Sequence, residues 1–254
     1  MAMSLNAIYV IWLREMKKYV WNKSRLVGNL ATPFFFLAFM GMGFNSLGIS
    51  ELPEGVSYID FLAPGVVAMT LLFGSMFAGI SILFDRQFGF LKEIMVSPVD
   101  RVSIAIGRIF AGMSSGVIQA SFILCISILL GVKIASVTGL LFSVVFIVLI
   151  AMSFVGLGIC IASKMQDMHG FQMIMNFIIM LTFLLSGALF PVDRLPTWLA
   201  SISYLDPLTY GVDGLRGLII GSSHLPVSVD LIVLCVFCTG TILLATYLFN
   251  RTEV

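Results

Sequence analysis

Six apolar runs constrain this chain more than any other feature of its sequence. They cover roughly residues 26–48, 60–84, 105–131, 137–162, 170–190 and 229–249. Each has at least about 20 residues, the length of α-helix that crosses the ~30 Å hydrocarbon core of a bilayer. Because lipid offers the backbone no hydrogen-bond partner, such runs are expected to be helices. The sequence therefore predicts an all-α polytopic membrane protein, with six transmembrane helices in one domain over residues 1–254.

Composition agrees with this class and excludes others. The chain is 59% hydrophobic and 11% charged, whereas a soluble domain is about half apolar and about a quarter charged. Its net charge of +1 gives no basic field that would attract nucleic acid. We therefore expect membrane lipid, and not nucleic acid, to surround the chain.

Lysine and arginine are distributed unevenly between the two sides of this topology. An even number of spans puts both termini on one side, and that side holds eleven of the 14 basic residues. The other three are Lys133, Arg194 and Arg216. Because an excess of basic residues marks cytosolic loops, we expect a multi-pass protein of the inner (cytoplasmic) membrane with both termini in the cytosol.

The segment before the first run, residues 4–24, has the pattern of an interfacial amphipathic helix. At about 100° per residue, its apolar side chains share one arc, and Arg14, Lys17 and Lys18 lie opposite. Such a helix rests in the membrane surface with its cations toward lipid headgroups. It is either a simple anchor or a lever joined to the first span.

The segment FDRQFGFLKEIMVSPVDR, residues 84–101, separates the second and third runs and is unusually charged. Helical periodicity over 84–97 predicts an amphipathic helix that ends before Pro98. Its apolar face consists of Phe84, Phe88, Leu91 and Met95. Mixed charges such as Arg86 and Glu93 favour docking on a protein surface over binding anionic lipid, although an ordinary solvated loop is the alternative.

The sequence offers little chemistry. It contains no G-x-x-x-x-G-K-[ST] phosphate-binding loop. His169 and His224 fall on opposite sides of the membrane, and Cys235 and Cys238 lie inside the last span, where core packing is the better interpretation. We predict neither a catalytic residue nor a metal site.

Carboxylates are expected only in loops or at span ends, which disfavours an ion-driven carrier. The polar residues within spans are amides: Asn29, Gln119, Gln172 and Asn176. Hydrogen bonding between helices is the favoured role for them. Small residues at 74–79 and 112–116 predict close helix contacts, either within one chain or between two copies.

A second unusual stretch, residues 191–220, lies on the outer side. Pro191, Pro196 and Pro207 divide it into short amphipathic pieces. We expect outer re-entrant helices between the fifth and sixth spans, which serve as a gate or only as a cap. Trp198 and Tyr210 suit the headgroup level, and Arg216 is expected to pair with Asp213 or Asp206.

Two motifs carry a resemblance to a known family. They are GFLKEIMVSPVDR at 89–101 and LFPVDRLPTWLASISYLDPLTYGVDGLRGLI at 189–219. With the order of spans, they make the whole chain resemble the ABC-2 type ABC-transporter permeases of the daunorubicin-resistance and nodulation-export kind. Asp206 departs from that pattern, since Asn is common before Pro-Leu-Thr-Tyr.

The resemblance implies a function. Such a permease holds no nucleotide and is not itself an enzyme; ATP and Mg²⁺ bind a separate ABC ATPase subunit. Residues 84–97 then resemble the coupling helix that docks on that ATPase, through Arg86, Phe88, Gly89, Leu91, Lys92, Glu93, Met95 and Pro98. The permease is expected to form a homodimer, or a heterodimer with a related permease, that exports a hydrophobic or amphipathic drug, lipid or glycan. A secondary carrier and a non-transporting assembly or regulatory subunit remain alternatives.

Overall fold

Every regular element that the structure describes is a helix. The structure is a computed structural model of the chain, and it describes residues 4–46, 57–89 and 99–251. The helices are α1 Leu5–Trp21, α2 Lys23–Phe36, α3 Met42–Ser46, α4 Tyr58–Met76, α5 Ile80–Gln87, α6 Arg101–Leu129, α7 Val137–Lys164, α8 Met168–Leu185, α9 Thr197–Ser203, α10 Pro207–Ile220 and α11 Val227–Asn250. A π-helical turn at Leu37–Gly41 joins α2 to α3, and a 3-10 turn at Phe77–Gly79 joins α4 to α5.

Six helical stretches in the described part of the chain are long and apolar enough to cross a membrane. They are Leu26–Phe44, Tyr58–Gln87, Arg101–Leu129, Val137–Lys164, Met168–Leu185 and Val227–Asn250. The six-span prediction is confirmed, with one informative difference. The sequence interpretation ended the second run at 84 and began the third at 105, next to charged residues. In the structure the second stretch continues through Asp85 to Gln87, and the third begins at Arg101. Asp85 can lie within the bundle because it is buried against Arg108 of the third span.

The centre of the bundle is built by glycine contacts between the second and fourth spans. A Cβ on Gly79 would collide with the carbonyl oxygen of Gly158, and a Cβ on Gly158 would collide with that of Met76. Between the third and fourth spans, a Cβ on Gly112 of α6 would lie 2.8 Å from Val155 of α7. The predicted small-residue faces therefore allow close approach of helices within one chain.

α1 packs along α6 rather than standing apart from the bundle. The Ser4 backbone N–H donates to Ser103 Oγ at 3.1 Å, and the Trp12 indole N–H donates to Ser114 Oγ at 3.0 Å. Tyr19 is buried, while Tyr9 and Trp21 remain exposed. The apolar side chains that were predicted to share one face of α1 therefore lie partly against the bundle and partly exposed on its surface.

α10 lies inside the bundle, beside α7 and α11. A Cβ on Gly211 would lie 2.9 Å from Ile150 of α7, and one on Gly217 would lie 3.1 Å from Val227 of α11. At its other end, Ile219 O accepts a hydrogen bond of 2.8 Å from Ala135 N, just before α7 begins. Ile150 is about 20 Å along α7 from its start. α10 therefore runs antiparallel to α7, from about its midpoint back to its first residues.

These directions give a test of topology. Gln166, between α7 and α8, and Thr197, at the start of α9, are both exposed and lie at opposite ends of α8. In a background without the exposed native Cys125 and Cys235, we expect Gln166→Cys to react with a membrane-impermeant maleimide only from the cytosol. Thr197→Cys should react only from outside. Labelling of both positions from one side of intact cells would contradict the six-span arrangement.

Candidate functional site

A buried carboxylate surrounded by cations lies at the end of the second span. Asp85 is 3% exposed. Its Oδ2 is 2.5 Å from Arg108 Nη2 of α6, and its Oδ1 is 2.8 Å from Arg14 Nη2 and 3.7 Å from Lys18 Nζ of α1. Arg108 also donates to Ser81 Oγ at 3.2 Å. A buried charge costs several kcal/mol unless it is paired and hydrogen-bonded, and this group of residues, the Asp85 cluster, supplies that pairing.

The Asp85 cluster corrects the predicted role of the α1 cations. Arg14 and Lys18 were expected to face lipid headgroups, but Arg14 pairs with Asp85, and Lys18, although exposed, lies 3.5 Å from Glu15 and 3.7 Å from Asp85. Lys17 is exposed, and the described residues form no such contact with it. The reason is that the buried carboxylate is a stronger partner than a solvated headgroup. The cluster consequently joins α1, α5 and α6 at one point.

The predicted coupling helix over 84–97 is wrong as a continuous helix. α5 ends at Gln87, and Gly89 has a φ of +78°, a left-handed conformation that glycine adopts without strain. Helical periodicity did not reveal this stop, because the apolar spacing continues across the glycine. Of the proposed coupling residues, Leu91, Lys92, Glu93, Met95 and Pro98 lie outside the described residues.

The described part of the segment places the coupling candidates Arg86, Phe88 and Gly89, together with Phe84 of the predicted apolar face. Phe84 and Phe88 are 43% and 70% exposed, and their rings stack nearly parallel with centroids 6.2 Å apart. Arg86, in contrast, turns inward and donates to the backbone oxygen of Met165 at 2.8 Å. Arg86 therefore connects α5 to the end of α7, while the phenylalanine pair forms an uncovered apolar surface next to the Asp85 cluster.

The outer segment is divided into short helices at its three prolines, as predicted. Pro191 precedes a 3-10 turn at Val192–Arg194, Pro196 is the N-cap of α9, and Pro207 is the first residue of α10. Trp198 is 67% exposed. The Tyr210 hydroxyl donates to the Tyr204 backbone oxygen at 2.9 Å, within the segment itself.

The expected ion pair of Arg216 is wrong. Arg216 is buried, and its Nη2 donates to Gly187 O at 3.0 Å while its guanidinium lies 3.8 Å from the centre of the Phe61 ring. Asp213 forms no salt bridge with it; its oxygens accept from the backbone N–H groups of His224 at 3.0 Å and Leu225 at 2.8 Å. A carbonyl and a ring face thus replace the carboxylate, and sequence spacing along one helix could not indicate either.

His224 belongs to a polar cluster on this side that sequence reasoning missed. Its Nδ1 is 3.0 Å from Asp193 Oδ2, and its Nε2 is 3.2 Å from the Tyr204 hydroxyl. These residues and Asp213 line a cavity of about 190 Å³. His169 lies at the other end of the bundle, in the first turn of α8, so the two histidines are separated as predicted.

Most of the described carboxylates lie near helix ends, as predicted, yet five of them are buried: Asp60, Asp85, Asp206, Asp213 and Asp230. Asp60 forms a capping box with Ser57 at the start of α4 and accepts from Lys133 N at 2.9 Å. Asp85 is close to the end of α5, and Asp230 is in the first turn of α11. Exposed carboxylates also cap helices: Asp167 begins α8, and the backbone N–H of Gly170 lowers its pKa.

Asp206 caps α10 from a buried position. Its Oδ1 accepts from Leu208 N at 3.0 Å, whereas its Oδ2 has no hydrogen-bond partner. Burial raises the pKa of this carboxyl to about 7, and the hydrogen bond from Leu208 acts in the opposite direction. The residue therefore serves as a cap that is most stable when it is uncharged.

We expect Asp85→Asn to be strongly destabilising, since it leaves the buried Arg108 without its counter-charge. The loss should be about 3–5 kcal/mol, the usual cost of removing one partner of a buried pair. Arg14→Gln, at a side chain that is 32% exposed, should cost less than about 1 kcal/mol. Unfolding of the purified variants in detergent measures both; equal stability of Asp85→Asn and wild type would contradict the assignment.

Asp206→Asn should change the pH dependence of stability. Because the folded pKa is raised, the wild type keeps its full stability below the ordinary pKa and loses it as pH rises through about 7. At pH 8.5 the asparagine variant should melt well above the wild type, and this difference should shrink as pH falls toward the ordinary aspartate pKa of about 4. Asp206→Ala, which removes the cap, should be less stable than Asp206→Asn by about 1 kcal/mol at pH 5.5. A pH-independent difference would exclude the buried, titrating carboxyl.

Known proteins share this sequence over most of its length. Residues 6–220 match the ABC-2 type transporter family. The ycf38 protein of Cyanophora paradoxa is 31% identical over 204 residues, which are 79% of this chain and 69% of the relative. Nodulation protein J of Rhizobium leguminosarum bv. viciae is 27% identical over 247 residues, covering 95% of this chain and 93% of the relative.

A further relative is the inner membrane transport permease YadH of Escherichia coli (strain K12), which is 22% identical over 248 residues, 96% of this chain and 95% of the relative. The family match includes both the Asp85 cluster and nearly all of the outer segment. It agrees with six membrane-crossing helices in the described structure. The chain therefore belongs to the ABC-2 type transporter family and is one of its transport permeases.

Proposed function

We propose that the chain is the membrane-spanning subunit of an ATP-driven exporter and that a separate ABC ATPase subunit binds and hydrolyses the ATP. Permeases of this family generally work with an ATPase partner. The observation that carries the proposal is the arrangement at the end of α5, where the exposed Phe84–Phe88 pair adjoins the buried Asp85 cluster. An exposed aromatic pair is suited to insertion into a partner's groove.

The contacts behind this pair support transmission of force. Asp85 joins α5 to α1 and α6, and Arg86 joins α5 to the end of α7. A displacement of the segment after α5, driven by closure of the ATPase, would therefore move three neighbouring helices together. α1 takes part through two cations, which favours the lever interpretation of this helix over a simple anchor.

The remaining parts of the proposal concern assembly and cargo. The first and fifth spans leave most of their surface uncovered, with 17% and 22% of their most apolar windows buried. A second copy or a related permease, together with lipid, would cover these faces. Both termini lie in the cytosol, and α9 and α10 form the re-entrant pair on the outer side. The cargo is a hydrophobic or amphipathic drug, lipid or glycan.

We expect Phe88→Asp to weaken binding of the ATPase while the permease still folds, because Phe88 is exposed and a charge there is solvated in the free subunit. In the complex the same charge would be buried without a partner, which should lower affinity about tenfold or more. The measurement is ATP hydrolysis that co-purifies with the tagged permease.

Leu129→Asp is the matched control. Leu129 is 86% exposed and is the last residue of α6, which begins at Arg101 on the side of Phe88 and ends at the other end of the bundle. This variant should retain its ATPase at the wild-type ratio. Retention of the ATPase by Phe88→Asp, or equal loss in both variants, would contradict docking at the end of α5.

A further inference from the structure

A cleft of about 430 Å³ lies between four of the spans. Gly28 and Asn29 of α2, Gly74 of α4, Gln119 of α6 and Gln172 of α8 contribute to its lining. Its volume is within the range of about 300–1,000 Å³ that small-molecule sites occupy. The cleft is on the same side of the second span as Phe84, close to the junction of α1 and α2.

Gln119 is the residue that makes this cleft more than a packing defect. The residue is 2% exposed, and its side-chain oxygen, Oε1, is buried without a hydrogen-bond partner. Gly74 leaves room for it, since a Cβ there would lie 3.3 Å from that oxygen. A buried amide oxygen without a donor costs about 1–3 kcal/mol. Hydrocarbon offers this oxygen no hydrogen-bond donor, so a ligand that donates a hydrogen bond would be favoured here.

The other lining residues limit the chemistry of that ligand. Among the described residues that line the cleft, none carries a charge, and three of the four spans contribute an amide. An ionised headgroup would be buried here without a counter-charge, at a cost of several kcal/mol. Amides both donate and accept hydrogen bonds, which matches the behaviour of hydroxyl groups.

The walls suit an apolar body attached to such a head. Met69, Phe73, Phe77 and Phe84 of the second span line the cleft beside the amides. Aromatic and thioether side chains contact acyl chains and the apolar faces of sugar rings without demanding one geometry. One side of the ligand is therefore expected to be apolar and the other to hydrogen-bond.

From these observations we propose that the cleft binds the uncharged, hydroxyl-bearing head of an amphipathic molecule, with Gln119 as its central hydrogen-bond acceptor. This assignment rests on the proposed function, because it takes the bound molecule to be the cargo that the permease exports. The amides Asn29, Gln119 and Gln172 then contact cargo, whereas the sequence favoured hydrogen bonding between helices for them.

The test uses the full chain in lipid nanodiscs and a fluorescent monoglucosyl diacylglycerol as the probe. We expect saturable binding by the wild type. Gln119→Leu should bind at least about fivefold more weakly, the effect of losing one net hydrogen bond. Gly28→Leu should weaken binding as well, because a Cβ on Gly28 meets nothing within 4 Å and the added side chain fills the cleft without a clash.

Two matched substitutions serve as controls. Asn176 is one turn beyond Gln172 on α8 but does not line the cleft, and Gly240 on α11 is equally open at its Cβ. Asn176→Leu and Gly240→Leu should bind the probe as the wild type does. A phosphatidylglycerol probe with the same acyl chains tests whether the effect depends on the headgroup. Gln119→Leu should bind this probe no more weakly than Asn176→Leu does.

Unchanged affinity of Gln119→Leu and Gly28→Leu for the glucosyl probe would overturn the proposal, as would equal weakening for the phosphatidylglycerol probe. Dissociation of a permease dimer by Gln119→Leu, with probe binding intact, would also overturn it, since a second copy would then satisfy the amide. Because nanodisc binding needs no ATPase, failure here leaves the ATPase pairing standing. If the permease bound the probe but recruited no ATPase, the binding site would stand and the proposed export function would be contradicted.

Discussion

A buried negative charge is the constraint on which one end of this bundle depends. Asp85 lies almost entirely out of solvent near the end of the second span, where an isolated carboxylate would be too costly to keep. Arg108 compensates it from the third span, and Arg14 and Lys18 do so from α1. The attraction between opposite charges in a poorly solvated site weakens steeply as they separate. These contacts therefore hold the helices in one relative position. The same contacts that stabilise the fold therefore make α1, α5 and α6 move as a unit.

The glycine contacts in the centre complement this arrangement. Gly79 and Gly158 allow the second and fourth spans to approach backbone to backbone, and these two spans are also the most buried, at 67% and 61% of their apolar windows. Tight packing is stiff, because the interior offers few voids into which a helix can shift. The end of α5 is thus attached to a tightly packed core.

The two polar regions away from the Asp85 cluster differ in what lies beside their groups. On the outer side, Arg216 bonds to Gly187 and covers Phe61, and Asp213 accepts from the turn before α11. These contacts fasten α10 within the bundle, although Arg216 Nε and Asp206 Oδ2 have no hydrogen-bond partner. In the cleft between the spans, Gln119 keeps an unpartnered oxygen beside about 430 Å³ of open volume. The proposed site depends on this combination of an unmet acceptor and space that a ligand can occupy.

The sequence by itself determined the class, the number of spans and the places where the outer segment is divided. These follow from local physics: apolar length sets how many helices cross a bilayer, and Pro191, Pro196 and Pro207 stop or start helices wherever they occur. The family motifs indicated the type of protein before any contact was known. Small residues at 74–79 and 112–116 also indicated close helix contacts, although their partners, such as Gly158 for Gly79, did not follow from the sequence.

Only the tertiary structure decided how the charges are paired and where the cleft lies. Arg14 and Asp85 are separated by 71 residues, and no periodicity in the sequence links them. The sequence placed the α1 cations toward lipid and Arg216 beside a carboxylate, since a helix wheel compares a residue only with its own helix. The stop of α5 before Gly89 and the unmet oxygen of Gln119 depend on what other helices supply or leave open. Hydrogen-bond satisfaction is a property of the assembled bundle, and it therefore cannot be assigned from the order of residues alone.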